Sequence, residues 1–381
     1  MQNQNIYPKT VFLVTSYSGS VVSFRGTLIS LLIKSGFVVK VFAPDHTVKT
    51  KRALFELGAS TGCFPMARAG MSPFADLHSL WSLWRKFLKA KPDIVLTYFV
   101  KPNIWGMLAA KFSHVQRRVA IVEGMGFAFT ADLNNRRTFK QIFIANTIKL
   151  LYRAAFYSAN RVIVLNPDDL RELKQTCGLS SSKAVLLGGI GVELDKWKFS
   201  PPHIQPTTFT MVARLLREKG VFEFLHAAKL VKSTYPNVRF VLLGGYDINP
   251  GSISKPDIDF WIKMGLVEFH GHVDVKPWLQ QTSVFVLPSY REGVPLSTQE
   301  ALATGRPIIT TDVPGCRETV VNGVNGFLVP PRNAQRLAEA IELFIKEPLL
   351  IERMGYRSRL LAEERFDVNI ANAKILNILS V

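Results

Sequence analysis

Two successive series of short apolar runs, each run followed by a helix-like stretch, constrain the fold of this chain more than any other feature. In the first series, Thr10–Thr15 (TVFLVT), Val38–Ala43, Ile94–Tyr98, Arg118–Val122 and Arg161–Leu165 read as strands, with helical patterns between them that include Ser72–Ala90 and Arg137–Ala159. Strands alternating with helices predict a parallel sheet with helices on both faces. A polar, proline-rich break, Ser200–Thr208 (SPPHIQPTT), interrupts the pattern. It then restarts with Phe209–Arg214, Arg239–Gly245, Val267–Gly271, Val284–Ser289 (VFVLPS), Pro307–Thr311 and the segment FLVP. The expected fold class is α/β, with two Rossmann-like parallel-sheet domains facing across a cleft. The first is expected over residues 1–200 and the second over 201–368.

A chain of 381 residues fits two domains, and 48% hydrophobic with 20% charged residues is the balance of a globular protein. Cys63, Cys177 and Cys316 are scattered without metal-ligand spacing, which points to a reducing compartment. The polar start MQNQNIYPKT has no apolar signal core. No window offers about twenty uninterrupted apolar residues, so no transmembrane helix is expected; the best stretch, Leu28–Ala43, is broken by Lys34, Gly36 and Lys40. The net charge of +18 is unevenly placed: residues 1–200 carry 27 Lys and Arg against 11 Asp and Glu, and the rest carries 20 against 18. Such asymmetry suggests a polyanionic partner, either nucleic acid or an anionic membrane surface.

The densest chemistry lies in Ser289–Gly315, SYREGVPLSTQEALATGRPIITTDVPG. Glu292 falls at the exit of the VFVLPS strand, and Glu300 on the helix that follows. In an open α/β sheet, ligands bind at that edge. Two carboxylates invite comparison with glycoside hydrolysis, but the doubly wound pattern and the lack of a signal peptide weigh against it. A carboxylate is also a good acceptor for a vicinal diol. Between the two acids, the backbone N–H groups of Gly293, Val294 and Leu296 can meet a sugar or a diphosphate at the helix start. Arg214 and Lys219 stand in a second strand-to-helix loop, ARLLREKG, where two cations suit a diphosphate. Arg217 is a rival cation in the same loop. Gly19, in the opening loop Ser16–Ser20, allows close backbone approach to a phosphate or simply makes a turn. Glu123, at a first-domain strand exit with Gly124 and Gly126 beside it, is a candidate to orient a second substrate or to assist its deprotonation. Gly244, Gly245, Gly271, Val273 and Asp274 sit near second-domain strand exits, in loops suited either to a nucleobase or to structure alone.

The E-x7-E pair, the strand G-x-P-I-I, the loop TDVPGCRE, the tail GVNGFLVPP (Gly323–Pro331) and ARLLREKG together resemble family 4 of the retaining glycosyltransferases, which have the two-domain GT-B fold. The resemblance spans nearly the whole chain and is strongest over Phe209–Pro331. It implies that Glu292 contacts the donor sugar near the reacting centre and that Glu300 accepts from the ribose hydroxyls. It further implies that Arg214 and Lys219 neutralise the leaving diphosphate, and that the loop at Gly19 faces the donor phosphates. The last helix, about 369–381, is expected to pack back on the first domain, as is common in this fold. Many members carry a histidine near Glu123; this chain does not, since His114 precedes the strand. The pieces TSYSGSVVSFRG, VEGMGFAFT and GGYDINPGS resemble a narrower group that adds a sugar, often an N-acetylhexosamine, to a polyprenyl-diphosphate-linked saccharide. That resemblance implies a UDP-sugar donor and a place in the cytoplasm, peripheral on the inner face of the cell membrane; with no D-x-D motif and with Arg214 and Lys219 to meet the diphosphate, no metal and no other cofactor are expected.

Ser72–Lys91 and Arg136–Arg153 are aromatic and basic, with Phe74, Trp81, Trp84 and Phe87 among Arg85, Lys86, Lys89 and Lys91 in the first. Helices of this composition dock on anionic headgroups, or pack their apolar faces on the sheet and expose only charge. Transfer to a soluble acceptor is a second enzymatic reading. A basic protein that binds nucleic acid without chemistry is a third, but no nucleic-acid-binding module is recognisable, so no nucleic-acid partner is expected.

Overall fold

The computed structural model describes residues 8–67, 70, 72–125, 139–247 and 251–380. Gly126, residues 136–138 and the INP of GGYDINPGS, all singled out above, lie outside them. The chain divides into two compact units. One takes in the chain up to Met125, Phe139–Leu187 and the end from Asn372; the other takes in Gly188–Ala371.

The first unit holds strands β1 (Thr10–Val14), β2 (Val38–Phe42), β3 (Ser60–Gly62), β4 (Ile94–Tyr98), β5 (Arg117–Val122), β6 (Arg161–Val164) and β7 (Ala184–Leu186). They pair in the order β3-β2-β1-β4-β5-β6-β7, all parallel. The inner strands are buried along nearly their whole length because helices cover both faces. Phe12, Phe42 and Phe87 form an aromatic knot under one face, with ring centroids 4.9 to 6.1 Å apart. The final helix, Val368–Ser380, joins this unit: Arg117 Nε donates to its Ile378 carbonyl at 2.9 Å, and Asn372 reaches Thr27 Oγ1 at 3.0 Å.

The second unit holds β8 (Thr208–Val212), β9 (Arg239–Leu243), β10 (Glu268–Phe269), β11 (Val284–Leu287), β12 (Ile308–Thr311) and β13 (Gly326–Val329). Their order is β10-β9-β8-β11-β12-β13, again all parallel. In each sheet the order runs outward in both directions from one adjacent pair, β1 with β4 and β8 with β11. At such a switch point the loops leaving the two strands diverge and leave room for a ligand. The doubly wound expectation therefore holds in both units.

Arg306, fully buried, braces the base of the second unit. Its guanidinium donates to the carbonyls of Ser200, Pro201, Thr282 and Thr304, at 2.6 to 3.3 Å. Burial lowers its pKa to about 10, so it remains a cation at neutral pH. No other side chain offers this fork of donors. Arg306→Ala removes the donors to these four carbonyls, leaves the buried Thr282 carbonyl without its guanidinium donor and opens a cavity where the side chain was, and is expected to destabilise the unit by about 3 kcal/mol or more. Arg306→Lys should recover only part of this in urea denaturation.

Candidate active site

The β8–β11 switch point gathers the acidic and basic candidates of the second unit. The chain leaves β8 through Ala213–Leu216, makes a 3-10 turn at Arg217–Lys219, and enters the helix Val221–Lys232 through Gly220 in the left-handed region (φ 75°). A Cβ on Gly220 would overlap the carbonyl of Pro288, which follows β11, so the two exit loops touch backbone to backbone. Tyr290 N–H donates to Glu218 O at 2.8 Å, a second tie between them.

This contact brings Lys219 and Glu292 together. Lys219 Nζ lies 2.5 Å from Glu292 Oε1, and both side chains are largely buried. Ser289 Oγ donates to the same oxygen at 2.8 Å. Glu292 N–H donates to Pro314 O at 3.0 Å, and Gly315 has φ 78° with no room for a Cβ against the carbonyls of Glu292 and Gly293. The loop after β12 is thus the floor under Glu292. Cys316 is buried there, its thiol pushed up to about 12, first by burial and then by the Glu292 charge.

Past Glu292, Gly293 and Val294 are buried in the turn, and Pro295 precedes a helix spanning Leu296–Ala303. That helix start carries no side-chain cap. Gln299, fully buried, is held at both ends: its amide donates to Val294 O at 3.1 Å, and its oxygen accepts from Gly191 N at 3.0 Å. Glu300 lies on the next position of the same helix. Burial raises its pKa to about 7, with Lys196 pulling it down and Asp274 pushing it up.

Arg214 stands apart from Lys219 in its pairing. Its Nη1 donates to Asp247 Oδ2 at 2.6 Å, and half of its side chain is exposed. Arg217, the rival cation, lies 4.9 Å over the Phe222 ring. Gly245 accepts from Leu215 N at 3.0 Å, which binds the β9 exit to the β8 exit. Val273 is half-buried in the turn before the helix Lys276–Gln280, beside exposed Asp274. His270 packs on Trp278, with centroids 4.1 Å apart. Among the described residues no group of three His, Cys, Asp or Glu side chains is placed to hold a metal ion.

The first unit has its own cluster at the β1–β4 switch point. Glu123, just beyond β5, pairs with Arg25, which is buried in the helix Ser18–Lys34 and lies 5.4 Å over the Tyr98 ring. Burial raises the Glu123 pKa, and the Arg25 charge opposes it. Gly19 falls within the first turn of that helix, not in the loop before it. The Asp45 carboxylate already accepts from Ser18 N at 2.7 Å, so one donor of this helix start is taken by the protein itself.

Of the aromatic, basic helices, Pro73–Ala90 buries Leu83 and Phe87 but leaves Phe74 88% and Trp81 48% exposed, with Arg85 lying 4.9 Å over the Trp81 ring. Phe139–Ser158 buries Tyr152 and Phe156 and leaves Phe139 and Phe143 outside. Packing therefore buries one stripe of each helix and, among the described residues, leaves further apolar side chains exposed. No helix among the described residues is long and apolar enough to cross a membrane.

Contributors not singled out from sequence include Arg25, Asp45, Lys196, Asp247, Ser289 and Gln299. Arg25 had a signal, because it interrupts the apolar stripe Val21, Leu28, Leu32 of its helix. Native thiol titration checks the packing beneath Glu292. Only exposed Cys63 should react promptly with a disulfide reagent at pH 8, and Cys177 and Cys316 only on unfolding. Rapid reaction at Cys316 would mean that the floor of the site is open.

Comparison with known proteins adds to this geometry. Residues 206–347 match the family model described as glycosyl transferases group 1, and residues 26–190 match that of glycosyltransferase family 4. The N,N'-diacetylbacillosaminyl-diphospho-undecaprenol alpha-1,3-N-acetylgalactosaminyltransferase of Campylobacter jejuni is 31% identical over 88% of this chain and 89% of its own. The UDP-Gal:alpha-D-GlcNAc-diphosphoundecaprenol alpha-1,3-galactosyltransferase of Escherichia coli is 29% identical over 70% of this chain and 69% of its own. The crystal structure of Anabaena HepE in complex with UDP shares the fold with a TM-score of 0.75 at 18% identity, covering 98% of this chain and 99% of that one. On the strength of a match at this identity over most of both chains, the protein belongs to glycosyltransferase family 4, with the GT-B fold.

Proposed function

We propose that this protein is a retaining transferase that moves a sugar, an N-acetylhexosamine in the reading we favour, from a UDP-sugar to a polyprenyl-diphosphate-linked saccharide. The observation that carries the donor side is the Lys219–Glu292 contact at a sheet switch point, with Glu300 on the helix that follows. The acceptor class is supported by the relatives from Campylobacter jejuni and Escherichia coli, whose names specify diphospho-undecaprenol-linked saccharides.

In this reading Arg214 and Lys219 meet the donor diphosphate, and the uncapped helix start near Leu296, with Gly293 and Val294, approaches the sugar and phosphate. Glu292 lies beside the donor sugar, its carboxylate held in place by Lys219 and Ser289. The bond from the sugar's anomeric carbon to the diphosphate breaks as the acceptor hydroxyl attacks the same face. The hydroxyl proton passes to the departing phosphate oxygen, so no separate base is required. Paired with Arg25, Glu123 is better suited to orienting the acceptor than to taking its proton. Gly245 and Val273 belong to the loops that take the nucleobase. The two arginine and lysine charges supply what a divalent ion would otherwise give, so activity is expected without metal. The uncovered Phe74, Trp81, Phe139 and Phe143, with their basic neighbours, rest on an anionic membrane surface and hold the enzyme peripherally where its acceptor lies.

The direct test offers purified protein a panel of radiolabelled UDP- and GDP-sugars with detergent-solubilised polyprenyl-linked saccharides. Label from one UDP-sugar should enter the organic phase, unchanged by EDTA. Transfer only to soluble sugars, together with failure to float with anionic liposomes, would replace the lipid acceptor; loss in EDTA restored by magnesium would overturn the metal-free mechanism.

Glu300 gives a second test. A carboxylate accepts from both hydroxyls of a ribose diol, and protonation removes part of that capacity. With its pKa raised to about 7, Glu300 is mostly ionised above that pH and mostly protonated below it. Uridine, which has no phosphate to titrate, should therefore bind progressively less well as pH falls through about 7. Glu300→Gln should bind it about tenfold more weakly at pH 8 and lose the inflection. A wild-type affinity flat from pH 6 to 8 would remove Glu300 from the ribose.

A further inference from the structure

The diphosphate-binding reading of Arg214 leaves its partner unexplained. Asp247 has no role in that reading, yet its Oδ2 accepts from Arg214 Nη1 at 2.6 Å, and its side chain is only 11% exposed. It follows β9, which pairs with β8, so the two residues leave neighbouring strands at the same sheet edge. The loops that carry them are fixed to each other by backbone. Leu215 N donates to Gly245 O and Ile253 N to Leu215 O, both at 3.0 Å, and Arg217 N donates to Gly251 O at 2.9 Å. The guanidinium is half exposed, so solvent and solutes reach it while it is paired.

A carboxylate and a phosphate oxygen compete for the same guanidinium N–H groups. Lys219 is met in the same way by Glu292, so each cation assigned to the diphosphate already has a carboxylate from the protein. We propose that Asp247 is a built-in competitor of the nucleoside diphosphate for Arg214. It holds the guanidinium in place before the donor arrives, yields it to the diphosphate, and reclaims it as the product leaves. Asp247 thereby weakens the hold on the nucleotide and shortens the time the spent diphosphate blocks the site. This rests on the donor-site reading above. An ion pair with one half-exposed partner is a modest competitor, which limits the effect to a few-fold in affinity.

The test is a set of UDP titrations by calorimetry, with initial-rate product inhibition by UDP alongside. Asp247→Asn keeps the shape and a hydrogen-bond acceptor but removes the charge. It should bind UDP about three- to fivefold more tightly and be more strongly inhibited by it. Removing any negative charge near an anion site could tighten binding through space, so the same substitution is made in Arg214→Ala. There it should have no effect, because the guanidinium it competes for is gone. Equal tightening in both backgrounds, or unchanged or weaker UDP binding by Asp247→Asn, would overturn the proposal while the donor site stands, provided that Arg214→Ala itself weakens UDP binding. If Arg214→Ala binds UDP like the wild type, the donor-site reading falls and this proposal falls with it.

Discussion

Two strand-exit loops of the second unit meet backbone to backbone, and the chemistry around them depends on that meeting. β8 and β11 are neighbours, but the chain leaves them into different helices. Gly220 lies against the Pro288 carbonyl, and Tyr290 N donates to Glu218. With the loops so joined, Lys219 has Glu292 within 2.5 Å, and the charge of each is compensated at little further cost in order. Ser289 then fixes which carboxylate oxygen faces the lysine, and the loop after β12 fixes the height of Glu292 from below. Gln299 carries the same order outward, tying the helix of Glu300 to Gly191.

What the sequence disclosed and what it hid follow from the range of the interactions. Apart from the short β3 and β7, the β-strands were legible because each is a local apolar run, and so was the placement of Glu292, Arg214 and Lys219 in loops leaving strand ends and of Glu300 on the helix after β11. Gly19 was misplaced by a residue or two because a helix start is set by its cap. The cap here comes from Asp45, distant in sequence, and Tyr17 makes no side-chain cap bond. Asp247 and Arg25 were missed because their partners are in other loops: Arg214 reaches Asp247 across 33 residues, and Arg25 reaches Glu123 across 98. Spacing along the chain carries no trace of such pairs.

The positive surplus of the first 200 residues also takes on a more particular meaning. Some of it is spent inside the unit, on carbonyl groups at the ends of helices. Arg118 Nε donates to Ser158 O at 2.6 Å, Lys183 Nζ to the carbonyls of Phe156 and Tyr157 at 3.0 and 2.8 Å, and Arg117 to Ile378 O. Cations at helix C-termini satisfy orphan carbonyls and oppose the helix dipole. These side chains therefore have a structural task, and their hydrogen-bonding head groups are engaged within the unit although their charge remains. What the helix ends leave untouched is the pairing of aromatic and basic residues at Trp81 and Arg85.

Gly220 and Gly315 bear on how such a site can change over evolutionary time. Each is excluded from carrying even one more carbon, because a carbonyl of the facing loop occupies the space. Side chains around them are free to vary without moving these backbones. A lineage could thus retune its choice of sugar by ordinary point substitutions while the spacing between lysine and glutamate stayed constant. The two glycines act as the fixed gauge against which that drift takes place.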